Sequence, residues 1–267
     1  MSKTFIKYGG LRKKKIFKFS QKNKPLISII TVVKNNKKYL TQAIKSIIKQ
    51  DYQNYELIII DGNSTDGSLD IIKYFDKKNL VDIWISENDK GIYYAFNKGL
   101  ALARGEMIGF VNSDDILLKN ALQILVKYYN TNRNFDFIFG SVKKHWGVLH
   151  GYKPWKIKFT WGFYSSHSTG FYIKKNAAKI VGDYNTKYKL NADYDYFYRM
   201  IVKKKLKGIS TEKSELFGIF RRGGFSSKVK FYDHLVECTR IRLDNGQNKI
   251  MVLLTFIIKF IFNLKRF

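Results

Sequence analysis

Three short apolar runs in this chain each end in acidic or turn-forming residues, and they limit the possible folds more than any other feature. The runs cover residues 27–33, 57–60 and 107–111. The polar segments that follow them are 34–36, 61–67 (Asp-Gly-Asn-Ser-Thr-Asp-Gly) and 112–115 (Asn-Ser-Asp-Asp). Open α/β sheets bind ligands at the carboxyl ends of their strands. In a chain this basic, acids gathered at that edge predict a site for a metal ion and a nucleotide.

Strand and helix patterns alternate after Pro25. The first predicted helix has its apolar residues at i, i+3 and i+4 spacing, and Asp66 is placed to cap the second. Four strand–helix steps predict an α/β fold with a parallel sheet and right-handed crossovers. Strands are predicted at 27–33, 56–60, 82–85, 107–111 and 135–140, and helices at 37–49, 66–76, 91–103, 119–130 and 192–205.

The alternating pattern weakens after Gly140, where residues 141–172 are rich in aromatic residues, Lys and Gly. That composition predicts short strands and loops rather than a second independent core. We therefore expect one main domain, preceded by a polar basic arm and followed by further helices. The predicted boundaries are an arm at 1–24, the α/β domain at 25–225 (a nucleotide half at 25–140 and an acceptor half at 141–225) and C-terminal helices at 226–267.

The formal net charge is +28, from 49 Lys and Arg against 21 Asp and Glu. Three explanations are open: nucleic acid binding, contact with the anionic face of a membrane, or the residue usage of an A- and T-rich genome. The single cysteine, Cys238, excludes an intramolecular disulfide, and the first residues lack the apolar core of a secretory signal. We expect a cytoplasmic protein.

The adjacent acids Asp114 and Asp115 after an apolar run are the sharpest local signal. Carboxylate oxygens suit Mg²⁺ or Mn²⁺, with a diphosphate completing the shell, but an Asp before a helix is also an ordinary N-cap. Asp61 is either a turn residue before Gly62 or an acceptor for a base or ribose. His167 is either a packed histidine or a contact to metal or diphosphate. No zinc cluster, nucleophile elbow or P-loop is present in the sequence.

Five segments in order carry a family resemblance: SIITVVKN, IIIDGNSTDGS, DKGIYYAFNKGLALARGE, GFVNSDD and NADYDYFYRM. Together they resemble the family 2 inverting glycosyltransferases of GT-A fold, of the bacterial surface-polysaccharide type, over about residues 25–225. The resemblance implies a GT-A fold (nucleotide-diphospho-sugar transferase, Rossmann-like): a mostly parallel sheet flanked by helices, here with a C-terminal helical extension.

The resemblance also implies roles for individual residues. Asp193 matches the catalytic base. Asp114 matches the last acid of the family's D-x-D metal motif, with Asp115 behind it, and His167 matches a histidine that often follows the metal strand. The implied nucleotide-sugar contacts are Thr31 and Asn35 at the first strand end, Asp61 at the base or ribose, Asp89, Lys90 and Gly91 of the DKG loop, Asp114, and Arg221 of a segment near the diphosphate.

Three positions depart from the family pattern. Asn112 replaces the first acid of D-x-D, Tyr94 stands where relatives often have Asp, and Ala192 stands where many have Glu. An inverting transfer needs one base, and on a helix Asp193 and Asp195 point about 200° apart, so only one faces the site. We expect Asp193 there and Asp195 in a solvated or structural role.

Residues 249–267 are strongly apolar but too short to cross a bilayer, and Lys259 interrupts them. On a helical wheel Thr255, Lys259, Asn263 and Arg266 share a narrow polar stripe. Two interpretations are open: a helix in the membrane interface, or a helix docked on the core of the domain. The basic arm favours the membrane, because acceptors in such pathways are usually lipid-linked.

The prediction from sequence is therefore a metal-dependent hexosyltransferase using Mn²⁺ or Mg²⁺. It would move a sugar from a UDP-sugar onto a glycan or lipid-linked acceptor in capsule, O-antigen or exopolysaccharide synthesis. We expect a cytoplasmic protein held peripherally on the anionic inner face of the cell membrane, with no nucleic acid partner. The alternatives are a nucleotidyltransferase, a basic nucleic-acid-binding protein, or an inactive relative.

Overall fold

The computed structural model describes residues 6–159, 168–221 and 229–263. These residues form twelve strands: β1 (Lys7–Gly9), β2 (Ile27–Val33), β3 (Tyr55–Asp61), β4 (Ile83–Ser86), β5 (Met107–Phe110), β6 (Ile116–Leu117), β7 (Phe137–Phe139), β8 (Ser141–Lys144), β9 (Gly147–Leu149), β10 (Phe171–Lys174), β11 (Gly208–Ser210) and β12 (Leu216–Ile219). The α-helices are α1 (Lys37–Ile48), α2 (Ser68–Lys77), α3 (Ile92–Leu102), α4 (Ala121–Thr131), α5 (Lys175–Val181), α6 (Ala192–Tyr198), α7 (Phe231–Asp244) and α8 (Lys249–Phe262).

The main sheet has eight strands in the order β1-β4-β3-β2-β5-β10-β7-β11. The predicted parallel arrangement is confirmed for the four central strands, β4, β3, β2 and β5. Two strands run the other way: β1 at one edge, and β10 between β5 and β7. A smaller sheet has the strand order β6-β12-β8-β9, and its strand β6 directly follows Asp114 and Asp115 in the chain. The α/β, GT-A-like fold class expected from the sequence is therefore correct.

Strands β2 and β3 are buried along their whole length because helices cover both faces of the sheet. Successive residues alternate between two cores, with Ile29 on the side of α1, α2 and α4 and Ile30 on the side of α3, α5 and α6. A continuous apolar run is the pattern expected of such a doubly covered parallel strand. The packing holds the carboxyl ends of these strands in one rigid edge.

The N-terminal segment is part of the fold rather than a free arm. Strand β1 pairs with β4, and the segment after it returns across the sheet edge. Arg12 forms an ion pair with the buried Glu56 of β3, and the ammonium group of Lys18 lies 3.0 Å from the carboxylate of Asp82. In these two pairs, cations of the basic segment neutralise acids that are buried at the starts of β3 and β4, opposite the candidate edge. Arg12 and Lys18 therefore have structural partners, although the net charge of the chain is the same with or without these pairs.

The C-terminal extension also shares the main core, because Cys238 and Ile241 of α7 are fully buried with the residues of α3 and α6. Helix α6 does not run to 205 as one α-helix but continues as a π-helix over Arg199–Lys203. Among the helices of residues 6–159, 168–221 and 229–263, none has the length and apolar content needed to cross a bilayer.

Candidate functional site

The ends of β2 and β3 are tied into one surface by Asn35 and the turn after Asp61. The Asn35 side-chain oxygen accepts a hydrogen bond from the Thr65 backbone N–H at 2.8 Å. The backbone N–H of Asn35 donates to Ser64 Oγ at 2.8 Å. Asn35 has a positive φ of 50° and remains exposed. Next to it, Asp66 accepts from the first residues of both α1 and α2, one position before the N-cap Gly67. Asn35 thus lies at the predicted edge.

Asp61 ends β3 and is fully buried. Its carboxylate accepts hydrogen bonds from the hydroxyl groups of Ser64 at 2.5 Å and Ser86 at 2.7 Å, which join the turn to the end of β4. In this structure the turn interpretation of Asp61 accounts for its contacts. A contact to a base or ribose remains a prediction that would require these hydrogen bonds to rearrange.

Thr31 does not lie where the sequence prediction puts it. It is in β2, two residues before the strand ends, and is fully buried between neighbouring strands. Its Oγ1 atom has no hydrogen-bond partner among the described residues, and no surface of the side chain faces solvent. The residue numbering of the motif matches, but the pleat turns this side chain into the protein.

The DKG loop lies between β4 and α3 at the same edge. Lys98 of α3 forms ion pairs with both Asp89 and Glu87, at 2.7 Å to the latter, and so fixes the loop against the helix. Burial raises the pKa of Asp89, against the opposing effect of the Lys98 charge. Lys90 is exposed, and Gly91, with φ of 148°, begins the helix in a conformation that side chains disfavour. Lys90 is therefore open to solvent directly before the N-terminus of α3.

Asp114 and Asp115 follow β5 in a tight turn, in which the Asp115 backbone N–H donates to the Asn112 carbonyl at 3.0 Å. Asp114 is partly exposed, whereas Asp115 is buried. Burial raises the pKa of Asp114, and burial together with the neighbouring Asp114 raises the pKa of Asp115 to about 7. Ser168 donates a hydrogen bond to Asp115. The predicted residue His167 lies outside the described residues.

Arg221 brings a cation to this pair of acids. Its backbone N–H lies 3.4 Å from Asp115 Oδ1, and its guanidinium bonds to Gln42 and stacks over Tyr39 of α1 at 4.7 Å. The charge of Arg221 acts on Asp114 by lowering its pKa. The structure therefore joins Arg221 to the Asp114 edge, as the sequence prediction requires.

The oxygen atoms of this turn suit a hard divalent cation. Asn112 Oδ1 and Asp115 Oδ2 are both buried and lack hydrogen-bond partners within the described part of the chain. Burial raises the pKa of both acids, and a cation beside them would favour their charged forms. The described residues contain no group of three or more His, Cys, Asp or Glu side chains that could hold a metal.

Asp193 and Asp195 have the divided roles expected from their helical spacing. Asp195 is buried and accepts from the Arg199 side chain at 2.8 Å and from Asn245 at 2.9 Å. Asp193, in the first turn of α6, stays partly exposed. Its Oδ1 accepts from the Tyr194 backbone N–H at 2.9 Å and leaves Oδ2 outside the hydrogen bonds of the described structure. Of these two aspartates, only Asp193 keeps a carboxylate oxygen outside the hydrogen bonds of the described residues.

Tyr93 connects Asp193 to the sheet edge, a contact that the sequence did not predict. Its hydroxyl lies 3.2 Å from Asp193 Oδ1 and 2.9 Å from the Leu190 carbonyl. Tyr93 is in the first turn of α3, directly after the DKG loop. Asp193, the DKG loop and the carboxyl ends of the strands thus belong to one surface. The only sequence signal for Tyr93 is its place after Gly91 at a helix start.

Helix α7 supports the segment that leads into α6. The Glu237 carboxylate accepts three backbone N–H groups, those of Lys189 at 2.7 Å, Leu190 at 2.8 Å and Asn191 at 2.6 Å. His234 Nδ1 lies 2.8 Å from the side-chain oxygen of Asn191. Because Asn191 is the N-cap of α6, α7 sets the direction in which Asp193 leaves the helix start.

Comparisons with known proteins agree with this arrangement. Residues 28–206 match the sequence profile of the family described as Glycosyl transferase family 2. The chain is 30% identical over 220 residues to an uncharacterized glycosyltransferase, MJ1057, of Methanocaldococcus jannaschii, covering 78% of this chain and 76% of that protein.

Two solved structures share the fold. TarS of S. aureus 1–349, in complex with UDP-GlcNAc, has a TM-score of 0.63 and 18% identity, covering 86% of this chain and 70% of that one. The mannosyltransferase PcManGT of Pyrobaculum calidifontis, in complex with GDP-Man and Mn²⁺, has a TM-score of 0.64 and 16% identity, covering 88% and 69%. The chain spans only 43% of the longer TarS chain. At these identities the likeness is one of fold.

Proposed function

Because this chain belongs to glycosyl transferase family 2, we propose that it transfers a hexose from a UDP-sugar, with inversion, to a hydroxyl group of a growing surface glycan. The observation that carries the proposal is the position of Asp193. It is a partly exposed carboxylate, held through Tyr93 to the start of α3, beside the DKG loop and the strand ends. This position supports Asp193 as the single base on the surface where a nucleotide-sugar would bind.

A divalent cation, Mn²⁺ or Mg²⁺, would be held by Asp114 and Asp115. Unpartnered oxygens in the same turn and the raised pKa values of both acids support this assignment. When bound, such an ion would offset negative charge on a diphosphate leaving group. The complex of PcManGT with GDP-Man and Mn²⁺ is consistent with a metal in a protein of this fold.

The nucleotide-sugar would lie along the edge formed by β2, β3 and the DKG loop. Asn35 offers exposed polar atoms at the β2 end, and Asp61 is the nearest acid to accept from a base or ribose after its turn rearranges. Lys90 and Arg221 supply positive charge for the phosphates, and the backbone at Gly91 allows close approach. The complex of TarS with UDP-GlcNAc is consistent with UDP as the nucleotide, although PcManGT is in complex with GDP-Man.

The transfer itself needs one proton acceptor. Asp193 takes the proton of the acceptor hydroxyl as that oxygen forms a bond to the anomeric carbon. The bond between this carbon and the phosphate oxygen breaks, and its electron pair leaves with the nucleoside diphosphate. Attack from the face opposite the leaving group inverts the anomeric centre. Asp195 is committed to Arg199 and Asn245, so it does not provide a second carboxylate for a double displacement.

A nucleotide-sugar screen tests the proposal. The full chain is mixed with UDP-, GDP- and dTDP-sugars, with and without Mn²⁺, and both thermal stabilisation and release of nucleoside diphosphate are measured. We expect a UDP-sugar to raise the melting temperature and to be hydrolysed slowly to UDP in the presence of metal. Release of pyrophosphate instead would indicate nucleotidyl transfer, and no shift with any sugar nucleotide would overturn the proposal.

The Asp193→Asn variant separates binding from chemistry. We expect it to keep the thermal shift with the donor and to lose about 10²-fold or more in turnover, because the proton acceptor is removed. The matched control is Asp51→Asn, which changes an exposed acid paired with Lys119. Equal turnover in Asp193→Asn and wild type would show that another group is the base.

We also propose a location and an acceptor class. The acceptor would be a glycan or lipid-linked saccharide at the cytoplasmic, anionic face of the cell membrane, with the protein bound there peripherally. The net charge of +28 supports attraction to such a face. Partition of the protein between membrane and soluble fractions of its own cells tests this location.

A further inference from the structure

Helix α8 packs on the protein by its polar side. Val252 and Thr255 are the residues of the helix that are buried, at 2% and 8% exposure. Lys259, one turn further on the same side, lies close enough to Arg242 and Cys238 of α7 for their charges to interact. The Thr255 hydroxyl donates to the Met251 carbonyl at 2.7 Å, and the Asn263 amide donates to the Lys259 carbonyl at 2.9 Å. The described members of the predicted polar stripe, Thr255, Lys259 and Asn263, therefore lie on the inward side of α8. Arg266 lies outside the described residues.

The opposite side of α8 is exposed and entirely apolar. Every exposed side chain from position 250 to 262 is Ile, Leu or Phe, with exposures between 42% and 82%. A surface helix normally has the reverse arrangement, apolar toward the core and polar toward water. The members of this outward face are Ile250, Leu253, Leu254, Ile257, Ile258, Ile261 and Phe262.

The chemistry of the outward face fits a lipid surface. It has no charged or hydrogen-bonding side chain, whereas protein interfaces carry a polar rim and about one hydrogen bond per 100–200 Å². The helix has 14 residues, or about 21 Å, too short to cross a bilayer but long enough to lie in its interface. Lys249 at the helix start and the net positive charge of the chain complement anionic headgroups.

We propose that the outward face of α8 inserts into the interfacial layer of an anionic phospholipid bilayer. This deepens the membrane location in the proposed function and rests on it, because it names the surface that makes the contact. Docking through α7 then ties the bilayer contact to the active site, since α7 also holds the segment before Asp193.

Vesicle flotation tests the proposal. The full chain is floated with phosphatidylcholine vesicles that contain or lack phosphatidylglycerol. Wild type should float with the anionic vesicles. The double variant Leu254→Glu with Ile258→Glu should partition at least about tenfold more weakly, because two exposed apolar side chains that would enter the bilayer become charged. The control is Ile180→Glu, which changes an apolar residue on α5 that is 53% exposed, as Ile258 is.

Three results would overturn the proposal. They are wild type that stays unbound with both vesicle types, double-variant protein that floats as well as wild type, and a concentration-dependent dimer that only the double variant abolishes. Circular dichroism establishes that each variant is folded. Hydrolysis of the UDP-sugar without vesicles should be equal in all three proteins. Wild type that hydrolyses the UDP-sugar but does not float thus refutes the α8 contact alone, and wild type that floats but does not hydrolyse it refutes the enzymatic proposal alone.

Discussion

Asp193 and Asp195 differ in what surrounds them, although both are aspartates of the same short helix. Both carboxylate oxygens of Asp195 accept hydrogen bonds, one from Arg199 and one from Asn245, so this residue stabilises the fold. Asp193 keeps one oxygen outside such contacts and has a hydroxyl group, that of Tyr93, beside the other. The helical spacing predicted that only one of them faces the site. The hydrogen bonds are consistent with Asp193 as that residue, because both oxygens of Asp195 have partners.

Replacing Tyr93 with Phe tests whether its hydroxyl positions Asp193. The loss of one hydrogen bond to a carboxylate corresponds to about 1–2 kcal/mol, so kcat for UDP-sugar turnover should fall about tenfold. KM for the donor should stay within about twofold, because the aromatic ring and its packing remain. Steady-state kinetics with the donor identified in the screen provide both values.

Tyr74→Phe is the control for Tyr93→Phe, because Tyr74 lies on α2 with its side chain 53% exposed. It should match wild type in both kinetic constants. If Tyr93→Phe changes KM as much as kcat, the hydroxyl contributes to binding or folding rather than to the placement of the base.

At the scale of elements, the most consequential contact is that of α7 with the start of α6. A single carboxylate, Glu237, accepts three consecutive backbone N–H groups, which is how a helix start is fixed without a capping side chain of its own. The C-terminal extension therefore belongs to the support of the active site. The sequence showed α7 and α8 as additions after the motif-bearing region, because their role depends on contacts far apart in the chain.

The inverted polarity of α8 has a cost at Lys259. Burial and the positive charge of Arg242 lower the pKa of Lys259 from 10.5 to about 8. The unfolded state binds the proton of Lys259 more tightly than the folded state does. The free energy of unfolding is therefore lowered by the full amount below about pH 8, and it rises between pH 8 and 10.5. The charged lysine at neutral pH thus destabilises the packing of α8 on α7.

Lys259→Met should remove this penalty. We expect an increase in melting temperature of about 2–5 °C at pH 7, corresponding to about 1–2 kcal/mol once the partial exposure of Lys259 is allowed for. The difference from wild type should shrink as pH approaches 10, since the wild-type lysine then becomes neutral. Thermal unfolding of both proteins over that pH range measures the difference, in which other titrating groups cancel.

Lys249→Met, at the exposed start of the same helix, is the comparison for Lys259→Met and should leave the melting temperature nearly unchanged. A lower melting temperature for Lys259→Met at every pH would mean that the ammonium group makes a net stabilising contact.

For the whole molecule, local pattern predicted what depends on local physics. The buried runs of β2 and β3 and the spacing of α1 were recognisable because both faces of those strands and one face of that helix must be apolar. Segments set by distant partners were missed. Strand β1 is only Lys-Tyr-Gly, and its place depends on pairing with β4. Thr31 has the right motif position, yet the pleat buries it.

The candidate site divides in the same way. Asn35, the DKG loop and the Asp114 turn follow strand ends, so their common edge could be predicted from chain order. Tyr93, Lys98 and Glu237 could not, because each acts through a partner whose nearness only the folded chain establishes. The burial of Asp61 is a similar case, since its partner Ser86 comes from the next strand.

The N-terminal segment should stabilise the entire domain through Arg12. Glu56 is buried in β3, where it also accepts from Ser28 Oγ at 2.5 Å and from the Arg104 backbone at 2.7 Å, and Arg12 supplies its positive charge. Arg12 further donates to the Leu102 carbonyl at 2.7 Å, at the end of α3. One side chain thus joins β3, through it β2, and the helix that carries Tyr93.

Arg12→Ala would leave the Glu56 carboxylate buried without its cation. The expected loss is about 3 kcal/mol or more in the free energy of unfolding, measured by urea denaturation at neutral pH. Lys22→Ala, an exposed change in the same basic segment, should lie within about 0.5 kcal/mol of wild type. If both variants unfold at the same urea concentration as wild type, the N-terminal segment contacts the sheet without contributing to the stability of the domain. A loss confined to Arg12→Ala would mean that this cation of the N-terminal segment stabilises the fold through its pair with Glu56.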